Sequence, residues 1–171
     1  ELANAHKGYI KDFSVYVNDF HAIVNKHFFP RAGNHRYLLA HSMGSAIGTL
    51  YLQSNPGTFN KACFCAPMYG IHTPFSPHFA ARVTRLMDSL NQKVSRRCWY
   101  FPSQMNYVDT PFLGNRITHS RSRYRWYRDM YKAQPSLQLG GVTTRWLAAA
   151  FEAMDKIYAQ AHLLNTPTLI L

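Results

Sequence analysis

Acidic residues are scarce in this chain. Its 171 residues hold 8 Asp and Glu against 19 Lys and Arg, a formal net charge of +11. A field of that sign speaks about partners rather than fold: phosphate-bearing substrates, anionic membrane surfaces and nucleic acid all suit it. Long hydrophobic runs are absent too, and no apolar stretch approaches the ~18 residues that a helix needs to span a bilayer. Cysteine is limited to three, an odd number without metal-site spacing, so neither a disulfide framework nor a zinc module is expected. Cys63 and Cys65 alternate onto one face of a short strand, where they are poorly placed to bridge each other; free buried thiols are the reading. There is no internal repeat and no low-complexity tract. What remains is a globular composition, 47% hydrophobic and 16% charged, long enough to bury the core of one domain.

The charge is unevenly spread. Residues 72–148 carry 12 Lys and Arg against 3 Asp and Glu, a net of +9, and the rest of the chain contributes +2. Around that basic block the chain alternates between helix and strand signals. Asp12 is a helix cap ahead of Phe13, Val17, Phe20, Val24 and His27, which recur on one helical face as far as Phe28. Residues 29–34 are a break. Arg36–Ala40 reads as a buried strand, and Met43 to Ser54 as a helix stopped by Asn55-Pro56-Gly57. Lys61–Ala66 reads as a second strand, 145–162 as a helix, and Thr168–Leu171 as the start of another strand. Strands that alternate with helices imply a parallel sheet, so the fold class is α/β. Residues 71–144 interrupt the rhythm with Pro-rich loops and short basic helices.

The densest chemical signal is Leu38-Leu39-Ala40-His41-Ser42-Met43-Gly44-Ser45-Ala46. An apolar run meets a serine flanked by small residues and passes into a helix. That is the layout of a nucleophile elbow, written A-x-S-x-G here, with Ala40 where glycine is usual. Ala40 and Gly44 let strand and helix approach closely, Ser42 projects from the turn, and the Met43 N–H points where an oxyanion would form. A helix-capping serine in the same place is the plainer alternative. His41 is not its base, because adjacent residues at a strand end point to opposite faces. His119 reads either as a helix cap or as a group that reaches a substrate head group. His72, His78 and His162 have no carboxylate placed near them in sequence.

Several segments together carry a resemblance: Lys7-Gly8-Tyr9-Ile10-Lys11-Asp12-Phe13, Tyr37 to Gly44, Ala66-Pro67-Met68-Tyr69-Gly70, Ile117 to Arg121, Leu139-Gly140-Gly141, Trp146 and Thr166 to Leu169. Over nearly its whole length the chain resembles the bacterial lysophospholipase L2 family, within the monoacylglycerol-lipase-like α/β-hydrolases. Ser45 departs from that family, where a second glycine is usual.

The resemblance implies a partial α/β-hydrolase fold. Residues 1–70 and 145–171 would be core, holding strands five, six and the start of seven, and residues 71–144 a mostly helical cap or lid. The triad Asp and His would lie outside this chain, beyond Leu171, and the second oxyanion N–H before Glu1. Asp88, Asp109, Asp129 and Asp155 all precede the strand that should deliver the acid. Without upstream neighbours the Arg36–Ala40 strand is expected to be an unpaired edge with apolar faces open. The expected activity is hydrolysis of lysophospholipid acyl esters through an acyl-serine, with no cofactor and no metal. Transfer of the acyl group to another lipid is a variant, and monoacylglycerol or general carboxylester hydrolysis the alternative. A peripheral location on the cytoplasmic face of the inner membrane goes with it.

At 100° per residue, Arg121, Arg125, Arg128 and Lys132 fall within about 60° on one face of a helix over 121–132. Tyr124, Tyr127 and Tyr131 make a neighbouring stripe. This is either a solvated cationic face or a lid surface for anionic head groups, each basic residue contributing about 1 kcal/mol at such a membrane. Pro74, Phe75, Pro77 and Phe79 suit an acyl-chain entrance or plain loop packing. Arginines interleaved with aromatics also suit single-stranded nucleic acid, but no nucleic-acid module is recognisable and no such partner is expected.

Overall fold

Residues 6–28, 33, 35–115 and 117–171 are described by the structure, a computed structural model. The break expected over 29–34 falls, apart from Gly33, outside those residues. Local chemistry explains where the helices begin. Asp12 holds extended backbone and accepts the Ser14 N–H at 2.6 Å, which starts α1, Phe13–Ile23. The turn after α1, Val24–Phe28, is π-helical rather than a continuation of the α-helix. α2, Met43–Ser54, starts at Ser42 without a side-chain cap. α3, Pro77–Val94, follows Ser76, which accepts the Phe79 N–H, with proline at the first helical position. α4, Arg121–Ala133, is capped by Ser120 and α5, Thr144–Ala159, by Thr143.

Three short parallel strands form one sheet in the order β1 (Tyr37–His41), β2 (Lys61–Cys65), β3 (Thr168–Ile170). Parallel neighbours require a crossover, and α2 supplies the one between β1 and β2. Leu39, Cys63 and Leu169 lie side by side across the sheet. Leu38, Ala40, Ala62 and Phe64 turn to the other face and pack in one cluster with Tyr51 and Leu52 of α2. α5 lies against α3 and α2. Its buried run Ala148, Ala149, Ala150 and Ala153 lets those helices come close.

Two expectations need correction. β1 is half buried: Tyr37 and Leu39 stand exposed, Leu39 at 74%. It is also the open edge of the sheet, as expected for Arg36–Ala40. The helices between β2 and α5 are not all short, since α3 runs for 18 residues. The segment that holds α3 and α4 is strapped to the chain start through Gly140 and Gly141. The Gly140 N–H donates to His6 O at 2.7 Å, the Gly141 N–H to Met105 O at 2.8 Å, and the Gly8 N–H to Gly141 O at 2.9 Å. A Cβ at Gly140 would sit 2.6 Å from Met105 O and 2.7 Å from Tyr107 N, both rigid backbone atoms. Gly140→Ala is therefore expected to lower unfolding stability by about 2 kcal/mol or more, read as a drop in the urea midpoint; an unchanged midpoint would show that the strap yields freely.

Candidate active site

The chain reverses at Ser42 between β1 and α2, and the backbone there is strained. Ser42 has φ 52° and ψ −121°, a region that costs a side-chain-bearing residue about 1–3 kcal/mol. Surrounding hydrogen bonds hold it in place. The Ser42 N–H donates to Cys65 O at 3.0 Å, which ties the turn to the end of β2. The Ser42 carbonyl accepts three N–H groups: Ser45 at 3.0 Å, Ala46 at 3.3 Å and Met68 at 3.1 Å. Met68 belongs to the loop after β2, which makes its own turn at Ala66 with φ 42°. The Ser42 hydroxyl makes no capping bond and has no hydrogen-bond partner among the described residues. The Met43 N–H, first of α2, likewise has no acceptor among them. A serine hydroxyl spared from capping, beside a free backbone donor, can serve an acyl-transfer reaction once a base is supplied.

The small residues are placed somewhat differently from expectation. A Cβ at Gly44 would meet the Ala40 methyl at 3.9 Å, an ordinary contact, so Ala40 occupies space that glycine at 44 leaves. The tighter approach is one turn later. A Cβ at Gly48 would come within 3.1 Å of the Phe64 ring and 3.2 Å of Leu38 Cδ2. Spacing of four from Gly44 puts Gly48 on the same helical face, a signal the motif alone passes over. Ser45, the departure from the family pattern, is fully buried, and its hydroxyl has no partner among the described residues.

The other candidates disperse. His41 is exposed at the end of β1. His119 is exposed and does not cap α4, because the next residue, Ser120, does. Asp88 pairs with Arg145 at 2.9 Å, Asp155 with Arg85 at 2.5 Å, and Asp109 with Arg128 and Lys132. The stripe of four cations on α4 becomes three. Arg128 is buried over the Tyr107 and Tyr124 rings, while Arg121, Arg125 and Lys132 remain exposed. The tyrosine stripe turns inward: Tyr124, Tyr127 and Tyr131 stack edge to face with one another, with Phe112 and with Tyr107. Of the aromatic and large apolar residues on α4, Trp126 and Met130 stay exposed.

Phe75 and Phe79 do line an apolar cavity of about 400 Å³, together with Ile71, Val83, Phe101 and Phe151. Ile71 lies three residues beyond Met68, a reach of at most about 11 Å, so one loop joins the Ser42 turn to the cavity wall. Among the described residues no group of His, Cys, Asp and Glu is arranged to hold a metal, and no helix is long and apolar enough to cross a membrane.

A serine held at positive φ between a parallel strand and the next helix, in a sheet that continues on one side, places this molecule in the α/β-hydrolase class. A monoacylglycerol lipase from Paleococcus ferrophilus shares the fold, with a TM-score of 0.57 at 14% identity over 93% of this chain and 53% of that one. The chain belongs to the Hydrolase_4 family, described as serine aminopeptidase, S33, whose model matches residues 2–171. It is 36% identical to lysophospholipase L2 of Escherichia coli K12 over 99% of its own length and 49% of that protein. A probable lysophospholipase L2 of Haemophilus influenzae is 28% identical over 96% of this chain and 51% of its own length. The chain thus spans about half the length of the curated relatives it matches.

If backbone strain at Ser42 is borne for the sake of its side chain, Ser42→Gly should unfold at higher urea than Ser42→Ala, by about 1 kcal/mol or more. Equal midpoints would show that the turn is not strained.

Proposed function

We propose that this chain is the nucleophile-bearing part of a serine esterase that hydrolyses the acyl ester of lysophospholipids, with residues 71–144 as its cap. The observation that carries the reading is the Ser42 turn: positive φ, a carbonyl gripped by three N–H groups, and a hydroxyl left unbonded. In the reaction Ser42 Oγ attacks the ester carbonyl, and its proton passes to a histidine outside this chain, oriented by an Asp also outside it. The Met43 N–H and one N–H from elsewhere in the protein receive the oxyanion, each such donor worth about 3 kcal/mol. The glycerophospho-alcohol departs with the proton returned by the histidine, and water then cleaves the acyl-serine. A second lipid hydroxyl in place of that water would give transacylation.

The apolar cavity, reached along the loop after β2 at Ile71, suits the acyl chain. The excess of cations and the lysophospholipase relatives favour a phosphate-bearing head group. Monoacylglycerol hydrolysis is the alternative, favoured by the structural neighbour. A fluorophosphonate probe should label the whole protein at Ser42 and leave Ser42→Ala unlabelled; an unlabelled wild type would sink the enzyme reading. Lysophosphatidylcholine should then be turned over with higher kcat/KM than monoacylglycerol, and the reverse order would make the protein a lipase.

Peripheral binding to an anionic membrane, the cytoplasmic face of the inner membrane, belongs to the same reading. Besides the exposed Arg121, Arg125 and Lys132 of α4, a second supporting surface lies on α3. Phe79, Val83, Leu86, Leu90 and Val94 fall within about 80° of one another and are all exposed, Leu86 at 71%. Arg82 and Lys93 lie along one edge of the stripe, and the one acid of α3, Asp88, is buried against Arg145. An apolar stripe bordered by cations suits the surface of an anionic bilayer. Leu86→Asp with Leu90→Asp should abolish co-sedimentation with phosphatidylglycerol vesicles, while turnover of a short soluble ester stays intact. Undiminished sedimentation would remove α3 from that role, and salt-sensitive oligonucleotide binding without vesicle binding would point to nucleic acid instead.

A further inference from the structure

The peptide that offers the Met43 N–H is braced from a distance. Peptide groups are planar and trans, so the Ser42 carbonyl and the Met43 N–H point in opposite directions along one rigid plane. Whatever grips that carbonyl aims that N–H. Two of the gripping donors, Ser45 and Ala46, come from α2 itself, and the third, Met68, comes from the loop after β2. Met68 is held in turn by its neighbour. Tyr69 is partly buried, and its hydroxyl lies 2.6 Å from Thr49 Oγ1. The Thr49 hydroxyl donates to Ser45 O at 2.8 Å. Threonine has one proton to give, so Tyr69 must be the donor of the first bond. Burial pushes the Tyr69 hydroxyl up from its ordinary pKa, which keeps it protonated as a donor.

We propose that the Tyr69–Thr49–Ser45 chain of hydrogen bonds is a positioning device for the oxyanion donor: Tyr69 locks the 66–70 loop to the first turn of α2, so that the Met68 N–H fixes the Ser42–Met43 peptide plane. The proposal rests on the reading of Ser42 as nucleophile. It assigns roles to two residues that the elbow motif does not contain. Tyr69 touches no reacting atom, and its effect is expected on the transition state rather than on substrate binding, because the oxyanion exists only there.

The test is made on the whole protein that carries this chain, with Tyr69→Phe, Thr49→Val and Thr49→Ser. Tyr69→Phe keeps the ring and loses the donor, and is expected to lower kcat about tenfold, within the range that small misplacement of a catalytic donor produces. KM and the thermal midpoint should move little. Its second-order rate of inactivation by a fluorophosphonate should fall by a similar factor. Thr49→Val should match it, the double variant should be no worse than either single one, and Thr49→Ser should restore the rate. Unchanged kcat and inactivation rate in Tyr69→Phe would overturn the proposal. So would a lowered thermal midpoint with kcat and KM both altered and no rescue by Thr49→Ser, which would make the pair purely structural. A wild-type protein that resists the probe altogether would instead remove the nucleophile reading on which the proposal stands.

Discussion

The carbonyl oxygen of Ser42 is where three parts of the chain meet. It accepts from the first turn of α2 through Ser45 and Ala46, and from the loop after β2 through Met68. The same residue's N–H is spent on Cys65 at the end of β2. Backbone strain of about 1–3 kcal/mol at positive φ is thereby set against four hydrogen bonds, each worth about 1 kcal/mol net. The comparison explains why a serine can stay in a conformation suited to glycine. It also explains why the side chain is free. The Ser45 N–H, a donor that a capping hydroxyl would take, is already bound to the Ser42 carbonyl, so the hydroxyl has no capping duty.

That arrangement needs little of the sheet. Three strands of three to five residues, one helix-covered face and an open edge at β1 hold the turn. The work is done by close packing, with Gly48 drawn against Leu38 and Phe64, and four alanines of α5 letting three helices nest. The other face, with the exposed Leu39 and Leu169 on either side of Cys63 in register, is apolar. A chain spanning about half the length of its relatives presents an apolar surface of the kind a folded neighbour covers.

Much of this was legible in the residues. The order of strands and helices followed from periodicity and from the stops at Asn55-Pro56-Gly57 and Pro67, because local propensity and tertiary packing agree there. The extent of α2 and the cap at Asp12 came out as read. The open edge at β1 came out as read; its reading as a buried strand did not, since an apolar pentapeptide looks the same whether one face or two are covered. The site was legible only as far as its motif. Ser42, Met43 and Gly44 announce themselves by spacing, whereas Tyr69 and Thr49 are joined by a contact across twenty residues, which no local pattern encodes. Ser45 is intermediate: the sequence marked it as a departure from the family, and the structure gives the departure physical form as a buried hydroxyl without a partner among the described residues.

α3 and α4 show what periodicity can and cannot decide. In α4 the spacing of Arg121, Arg125, Arg128 and Lys132 correctly puts them on one face. Yet Arg128 lies buried over Tyr107 and Tyr124 and paired with Asp109, while its stripe-mates stay in solvent. In α3 the apolar residues form the tidier stripe and would ordinarily be assigned to the core. Here the inner face is instead Ala81, Thr84, Asp88 and Asn91. The reason lies in the partner. Arg145 on α5 needs a carboxylate at Asp88, and the 97–99 turn needs the Asn91 amide, which accepts from the Trp99 N–H and donates to Arg97 O. Once those polar groups are drawn inward to satisfy buried partners, the helix has no rotation left that also buries Leu86 and Leu90. An apolar face is then left outward as a consequence of polar satisfaction inside.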